Sequence, residues 1–179
     1  MTSEPSPVLS VLTLGHSRHP LDRFLGLLRQ HEVHVVVDVR SHPVSRFSPH
    51  FTRKALEAGL AEASIGYLFL GDALGGRPQS RACYDADGKV DYDRIEAQPF
   101  YLRGIDQLLD GISRSRVCVL CSEEDPSRCH RRLLITRTLA QRGVEVRHIR
   151  GTGTIETEAE LRTRDNPNQL SLLGGTRLA

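Results

Sequence analysis

Short runs rich in Val and Leu alternate with segments of helical period along most of this chain, and that alternation restricts the folds open to it more than any other feature. The apolar runs fall near residues 8–14 in PVLSVLTLG, 34–40 in VHVVVDVR, 66–70 in GYLFL, 116–121 in RVCVLC and 144–149 in VEVRHI. Between them PLDRFLGLLRQHE, TRKALEAGLAEA, PFYLRGIDQLLDGI and DPSRCHRRLLITRTLAQRG repeat their apolar residues at helical spacing. Pro20 suits a first helical turn, Thr52 and Asp125 suit caps, Pro126 a first helical position and Gly143 a left-handed terminator. Strands joined by crossover helices make a parallel sheet covered on both faces. The expected fold is α/β, a Rossmann-like three-layer domain over residues 8–150 with a mostly parallel sheet of about five strands. Residues 1–7 read as a flexible N-terminal tail and 151–179 as a C-terminal extension, in which TIETEAELRTRD forms a short exposed helix.

The composition, 39% hydrophobic and 26% charged, is that of an ordinary soluble domain. A formal net charge of +2 is too small to imply nucleic acid by itself, although Arg supplies nearly all the cations and suits phosphate or carboxylate recognition. No apolar run approaches the roughly 20 residues of a membrane span, and MTSEPSPV lacks the basic and apolar regions of a signal peptide. A cytoplasmic protein without a membrane partner is expected, with Cys83, Cys118, Cys121 and Cys129 reduced.

Open parallel sheets bind ligands outside the carboxyl ends of their strands. The unusual polar residues collect at those ends: His16, Ser17 and Arg18 after the first strand, Asp38, Arg40, Ser45 and Arg46 after the second, Gly75 and Gly76 after the third. The fourth delivers CSEEDPSRCHRR, residues 121–132. Convergence of four separate segments on one edge implies a single polar ligand site.

Two chemistries fit the CSEEDPSRCHRR stretch. Cys121 or Cys129 is a candidate nucleophile, or the two a reversible disulfide, since a helix N-terminus and Arg131 both lower a thiol pKa. Alternatively Glu123 and Asp38 act as base or nucleophile, with Arg40, Arg46 and Arg131 holding an anion. A zinc site would use Cys118, Cys121, Cys129 and His130. On a strand, however, Cys118 and Cys121 point to opposite faces, and adjacent Cys129 and His130 diverge by about 100° on a helix, so no metal is expected. A phosphatase-like loop of Cys, five residues and Arg fails on count, because Arg128 comes one position late after Cys121.

TLGHSRHP, DVRSHPVSRFSPHF, GYLFLGDALGGRP and LCSEEDPSRCHRRLLI followed by RGVEVRHI strongly resemble the domain of unknown function 488 family, from about Leu12 to Ile149. The resemblance implies an α/β domain of unassigned activity whose motif residues fall on Gly15, His16, Ser17, Asp38, Arg40, Pro43, Ser45, Arg46, Gly75, Gly76, Cys121, Glu123, Cys129, His130 and Arg131. RACYDADGKVDYDRIEAQPF departs from the compact aromatic stretch of the family at that point.

Near the C-terminus Gln169, Leu170, Ser171, Leu172 and Leu173 spell QLSLL, which looks like the peptide by which bacterial replication and repair proteins dock on the sliding clamp. These features lead to an expected enzyme acting on a nucleotide or nucleic-acid base in DNA repair, a hydrolase or transferase using Cys121 or Glu123, with His16 and His130 moving protons and Ser17, Arg18, Gly75, Gly76 and Cys129 among the binding residues. The alternatives are a non-catalytic nucleotide or nucleic-acid binding module recruited through its tail, and a metal-binding protein. No cofactor follows from the sequence.

Overall fold

The computed structural model describes residues 8–166. Gln169, Leu170, Leu172 and Leu173 of the clamp-like motif lie outside the described residues. Strand β1 (Ser10–Gly15) leads through helix α1 (Leu21–Gln30) to β2 (Val35–Asp38), and α2 (Arg53–Glu62) leads to β3 (Gly66–Phe69). Three helices, α3 (Gly71–Leu74), α4 (Tyr92–Glu96) and α5 (Pro99–Arg114), precede β4 (Val117–Cys121). A 3-10 turn (Pro126–Arg128), a π-helical stretch (Arg131–Thr136) and α6 (Arg137–Gln141) then lead to β5 (Glu145–Ile149), β6 (Ile155–Thr157) and α7 (Glu158–Asp165).

The protein is α/β, with helices on both faces of a sheet of strand order β3-β2-β4-β1-β5-β6. All pairings are parallel except β5 with β6, which is antiparallel. The five expected strands are present; the sheet has a sixth, β6, beyond Arg150 where the apolar pattern fades. Thr157 then caps α7 in a reciprocal box with Glu160, so the short helix expected there forms. Thr52 takes a different part from the expected cap, its hydroxyl donating to the Pro49 carbonyl at 2.8 Å.

Strand alternation builds two cores. Leu12, Leu14, Val36, Cys118 and Leu120 pack with Phe24, Leu27 and Leu28 of α1 and Leu56 and Leu60 of α2. Val11, Val37, Val117 and Val119 face Ile105, Leu108 and Ile112 of α5 and Leu134, Ile135 and Leu139 after β4. Face and direction are linked, as a single handedness of crossover requires. The crossovers from β1 to β2 and β2 to β3 run toward the β3 edge over one face; those from β3 to β4 and β4 to β5 return over the other. The neighbouring ends of β2 and β4 therefore send their chains to opposite faces, and a crevice opens between them. No described helix is long and apolar enough to cross a membrane.

Candidate functional site

That crevice is a polar cleft of about 330 Å³ lined by residues 40–42 after β2, Gly76 and Arg77 after α3, Tyr92 of α4, residues 121–123 after β4, and residues 128–130. Cys121 ends β4 with the strand parity of Val117 and Val119, so its thiol faces the side on which the chain returns through Cys129 and His130. Cys118 has the opposite parity and is sealed in the other core, where burial pushes its thiol up to about 12.

At the cleft floor the Cys121 thiol lies 2.9 Å from Glu123 Oε2, and the Cys129 thiol lies 3.2 Å from the same oxygen. Cys121 Sγ is 3.5 Å from His130 Nδ1, and one donor atom from each of Cys121, Glu123, Cys129 and His130 lies within 4.8 Å of every other. His130 Nε2 is 3.0 Å from the Val39 carbonyl, which can only accept, so Nε2 carries a proton and Nδ1 is the nitrogen that faces Cys121. Gly76 leaves room for the ring, since a Cβ there would stand 2.7 Å from His130 Cγ.

The expected divergence of Cys129 and His130 does not occur, because Cys129 is not helical. It stands at φ −105°, ψ 138° between the 3-10 turn and the π stretch, a type of irregularity that recurs at functional sites. That break lets neighbouring side chains converge, and Glu123 takes the fourth place that the sequence pattern assigned to Cys118. Coupling between the thiols holds Cys129 below its ordinary value, first through the hydrogen bond with Cys121 and then, against the effect of burial, through His130 and Arg131, and it drives Cys121 up. Burial raises the Glu123 carboxyl, but hydrogen bonds from Cys121, its own backbone and Cys129 outweigh this and keep it below the ordinary value. A nucleophile beside a base and a set of metal ligands are both within the chemistry of such a cluster.

Of the three consecutive acids only Glu123 enters the cleft. Glu124 pairs with Arg150 at 2.7 Å and Asp125 with Arg164 at 2.8 Å, on the side where β6 and α7 attach. Arg131, expected to bind an anion, is fully buried: its guanidinium donates to the carbonyls of Glu123 and Glu124 and to Thr13 Oγ1. It holds the shape of the loop after β4. Gly15 permits the same loop to approach, since a Cβ there would fall 1.6 Å from the Glu123 carbonyl oxygen.

Asp38 and Arg40 also sit inward. Asp38 is 0% exposed, accepts from Arg40 Nε at 2.9 Å and Nη2 at 2.6 Å, and receives the Tyr67 hydroxyl at 2.9 Å. Arg40 gives its Nη1 to the Phe51 carbonyl at 2.8 Å and to His16 Nε2 at 3.2 Å, so it borders the cleft with four of its five side-chain N–H donors already committed. His16 stacks on Phe51 at 4.2 Å and is neutral: burial, then the Arg40 charge, lower its pKa to about 4. Ser17, Arg18, Ser45, Arg46 and Gly75 do not line the cleft. Ser45 Oγ accepts from the Ser48 backbone at 3.0 Å, and Arg18 lies 5.8 Å over the Phe47 ring.

Six lining residues escaped the sequence reading: Ser41, His42, Arg77, Tyr92, Ser122 and Arg128. Arg77 and Arg128 are exposed, and neither is in an ion pair among the described residues. Arg128 stood in the stretch already singled out; Arg77 follows the Gly75–Gly76 pair directly.

Fold and site together define an α/β protein with a thiol-rich polar cleft at the carboxyl ends of its parallel strands. The family model for Domain of unknown function DUF488 matches residues 20–138, more than half of the chain, and the chain belongs to that family. The matched span contains every cleft-lining residue. Comparison with the curated proteins found no match, and neither did comparison with the solved structures.

Proposed function

We propose that this protein is an enzyme, a hydrolase or transferase acting on a nucleotide or nucleic-acid base, with Cys121, Glu123, Cys129 and His130 as its reacting centre. The observation that carries the reading is the convergence of these four groups on the floor of an open polar cleft. A purely structural polar cluster would be closed by packing; this one borders about 330 Å³ of space, near the lower end of the roughly 300–1,000 Å³ usual for ligand pockets. Arg77 and Arg128 offer uncommitted guanidiniums for a phosphate, and Tyr92 offers a flat wall for a base. Glu123 is the proton acceptor and His130 the group that orients the neighbouring thiol.

We read the parallel part of the sheet as Rossmann-like, with the substrate in the crevice between β2 and β4. The four unpaired cysteines suit a cytoplasmic setting. For recruitment, QLSLL supports docking on a bacterial sliding clamp in DNA repair. Deleting residues 168–173 then abolishes clamp binding, and unchanged affinity rejects that part.

The reading is tested by incubating the reduced, full-length protein with a panel of nucleotides and modified bases. A new product that disappears in Glu123→Gln, with the melting temperature nearly unchanged, supports it. Saturable binding without product would replace it with a non-catalytic module.

A further inference from the structure

We infer that Cys121, Glu123, Cys129 and His130 bind one zinc ion. The inference rests on the same site as the proposed enzyme but concerns a cofactor that the reading above does not name. Three independent features of the geometry point to a cation rather than to a thiol pair alone.

Donor placement comes first. Tetrahedral zinc, with bonds of about 2.3 Å to sulfur and about 2.0–2.1 Å to nitrogen or oxygen, sets its ligand atoms roughly 3.3–3.8 Å apart. Here the two thiols stand 2.9 and 3.2 Å from Glu123 Oε2, Cys121 stands 3.5 Å from His130 Nδ1, and no separation exceeds 4.8 Å. Displacements of less than about 1 Å would complete a tetrahedron. Both sulfurs already stand within hydrogen-bonding distance of one carboxylate oxygen, the arrangement of donor atoms that a single ion would draw together.

The outer contacts are those of a ligand histidine. A metal-binding imidazole gives its second ring N–H to a carbonyl or carboxylate, which fixes both tautomer and direction. The Val39 carbonyl does this for His130, and the absence of a side chain at Gly76 lets the ring take this position. Arg131 in turn fixes the loop that carries Glu123 by binding two consecutive carbonyls, those of Glu123 and Glu124.

Donor chemistry selects the ion. Two thiols with one imidazole and one carboxylate are too soft for magnesium or calcium, which take oxygen ligands, and suit four-coordinate zinc. Cys121 and Cys129 are buried whereas Glu123 is exposed to the cleft, so Glu123 is the ligand that a molecule entering the cleft would exchange with.

The full-length protein, kept reduced and stripped with a chelator, is titrated with zinc in competition with a chromophoric chelator and, separately, with cobalt(II). The expected result is one ion per chain, intense visible bands of tetrahedral cobalt and a near-ultraviolet thiolate-to-cobalt band. Cys121→Ser and Cys129→Ser should each weaken zinc by more than the roughly 10–100-fold that loss of an outer-shell partner costs. Should a variant fail to fold, zinc-edge X-ray absorption of the unmodified protein reads the sulfur ligands directly. No stoichiometric zinc, or an edge spectrum without sulfur, overturns the inference. Product formation by a protein that takes up no zinc would remove the ion yet leave the proposed enzyme standing; zinc without any product would do the reverse.

Discussion

Asp38 on β2 and Cys121 on β4 sit at the ends of paired strands, one residue apart in register, yet they end in opposite electrostatic conditions. At β2 the carboxylate, the Arg40 guanidinium, the Tyr67 hydroxyl and the Phe51 carbonyl close on one another, with a stacked neutral His16 behind them. At β4 two thiols, one carboxylate and one imidazole nitrogen converge beside an opening to the cleft. Polarity alone does not distinguish structural from chemical groups at a strand end; saturation does. A buried charge whose partners are complete is scaffold, and a convergent set left incomplete can accept something from outside.

The largest effect should come from breaking the closed end. Asp38→Asn leaves the Arg40 charge buried without its counter-ion and should cost about 3–5 kcal/mol in urea unfolding. Replacing Asp38 and Arg40 together with apolar residues should recover much of that loss, since no unpaired charge then remains. If the single change proves mild, the β2 end is not the saturated scaffold described here. The open end should respond the other way. Glu123→Gln should reduce turnover by at least about 100-fold, the lower range of general acid–base contributions, with stability changed by less than about 1 kcal/mol.

Gly76→Ala tests whether the cluster depends on a fixed imidazole. The new Cβ meets His130 Cγ at 2.7 Å, while the ring is held at Nε2 by Val39, so it must tilt out of place. An overpacking loss of about 1–3 kcal/mol is expected, together with weaker zinc binding. Normal zinc affinity in this variant would mean that His130 is not a ligand.

The layered α/β fold was legible because period-2 and helical patterns are strong wherever a face is buried, as in Leu12 and Leu14 against Val11, or Phe24, Leu27 and Leu28. Strand β6 was not, for its three residues carry no apolar run and pair only at the edge. The site was half legible. Cys121, Glu123, Cys129 and His130 share one segment at one strand end, which made them visible. Their convergence depends on the break at Cys129 and the π stretch after it, which helical periodicity does not encode. The same break goes with an inward Arg131, which the sequence pattern marked as an anion holder, and an exposed Arg128, to which the pattern gave no role. Tyr92 and Arg77 lie in a polar stretch without periodicity, and only the chain path brings them to the cleft.

The closed end also makes a pH prediction. Folding lowers the His16 pKa from the ordinary 6.5 to about 4, because burial and Arg40 oppose its charging more than the Ser17 carbonyl, Asp38 and Glu123 favour it. Between those values the unfolded chain binds a proton that the native state refuses, so stability declines as pH falls from about 6.5 toward about 4. His148, also held low by burial, adds a slope of the same sign. The contribution of His16 is isolated by comparing the protein with His16→Gln over that range. Equal slopes would show that His16 accepts its proton in the folded state.

Arg77 and Arg128 should give the smallest effects and the finest test of the contrast. Both are exposed, and among the described residues neither has a carboxylate partner, so Arg128→Ala or Arg77→Ala should alter stability by no more than about 0.5 kcal/mol. Each should raise KM for an anionic substrate by about 5–10-fold with kcat nearly constant, because uniform binding of a remote charge is lost from ground and transition states alike. Added salt should narrow the gap between variant and parent, as screening removes from the parent what the substitution removed from the variant. A change in kcat without a change in KM would place these guanidiniums among the reacting groups, and the boundary between anion holder and chemical centre would have to move outward from Cys121 and Glu123 to include them.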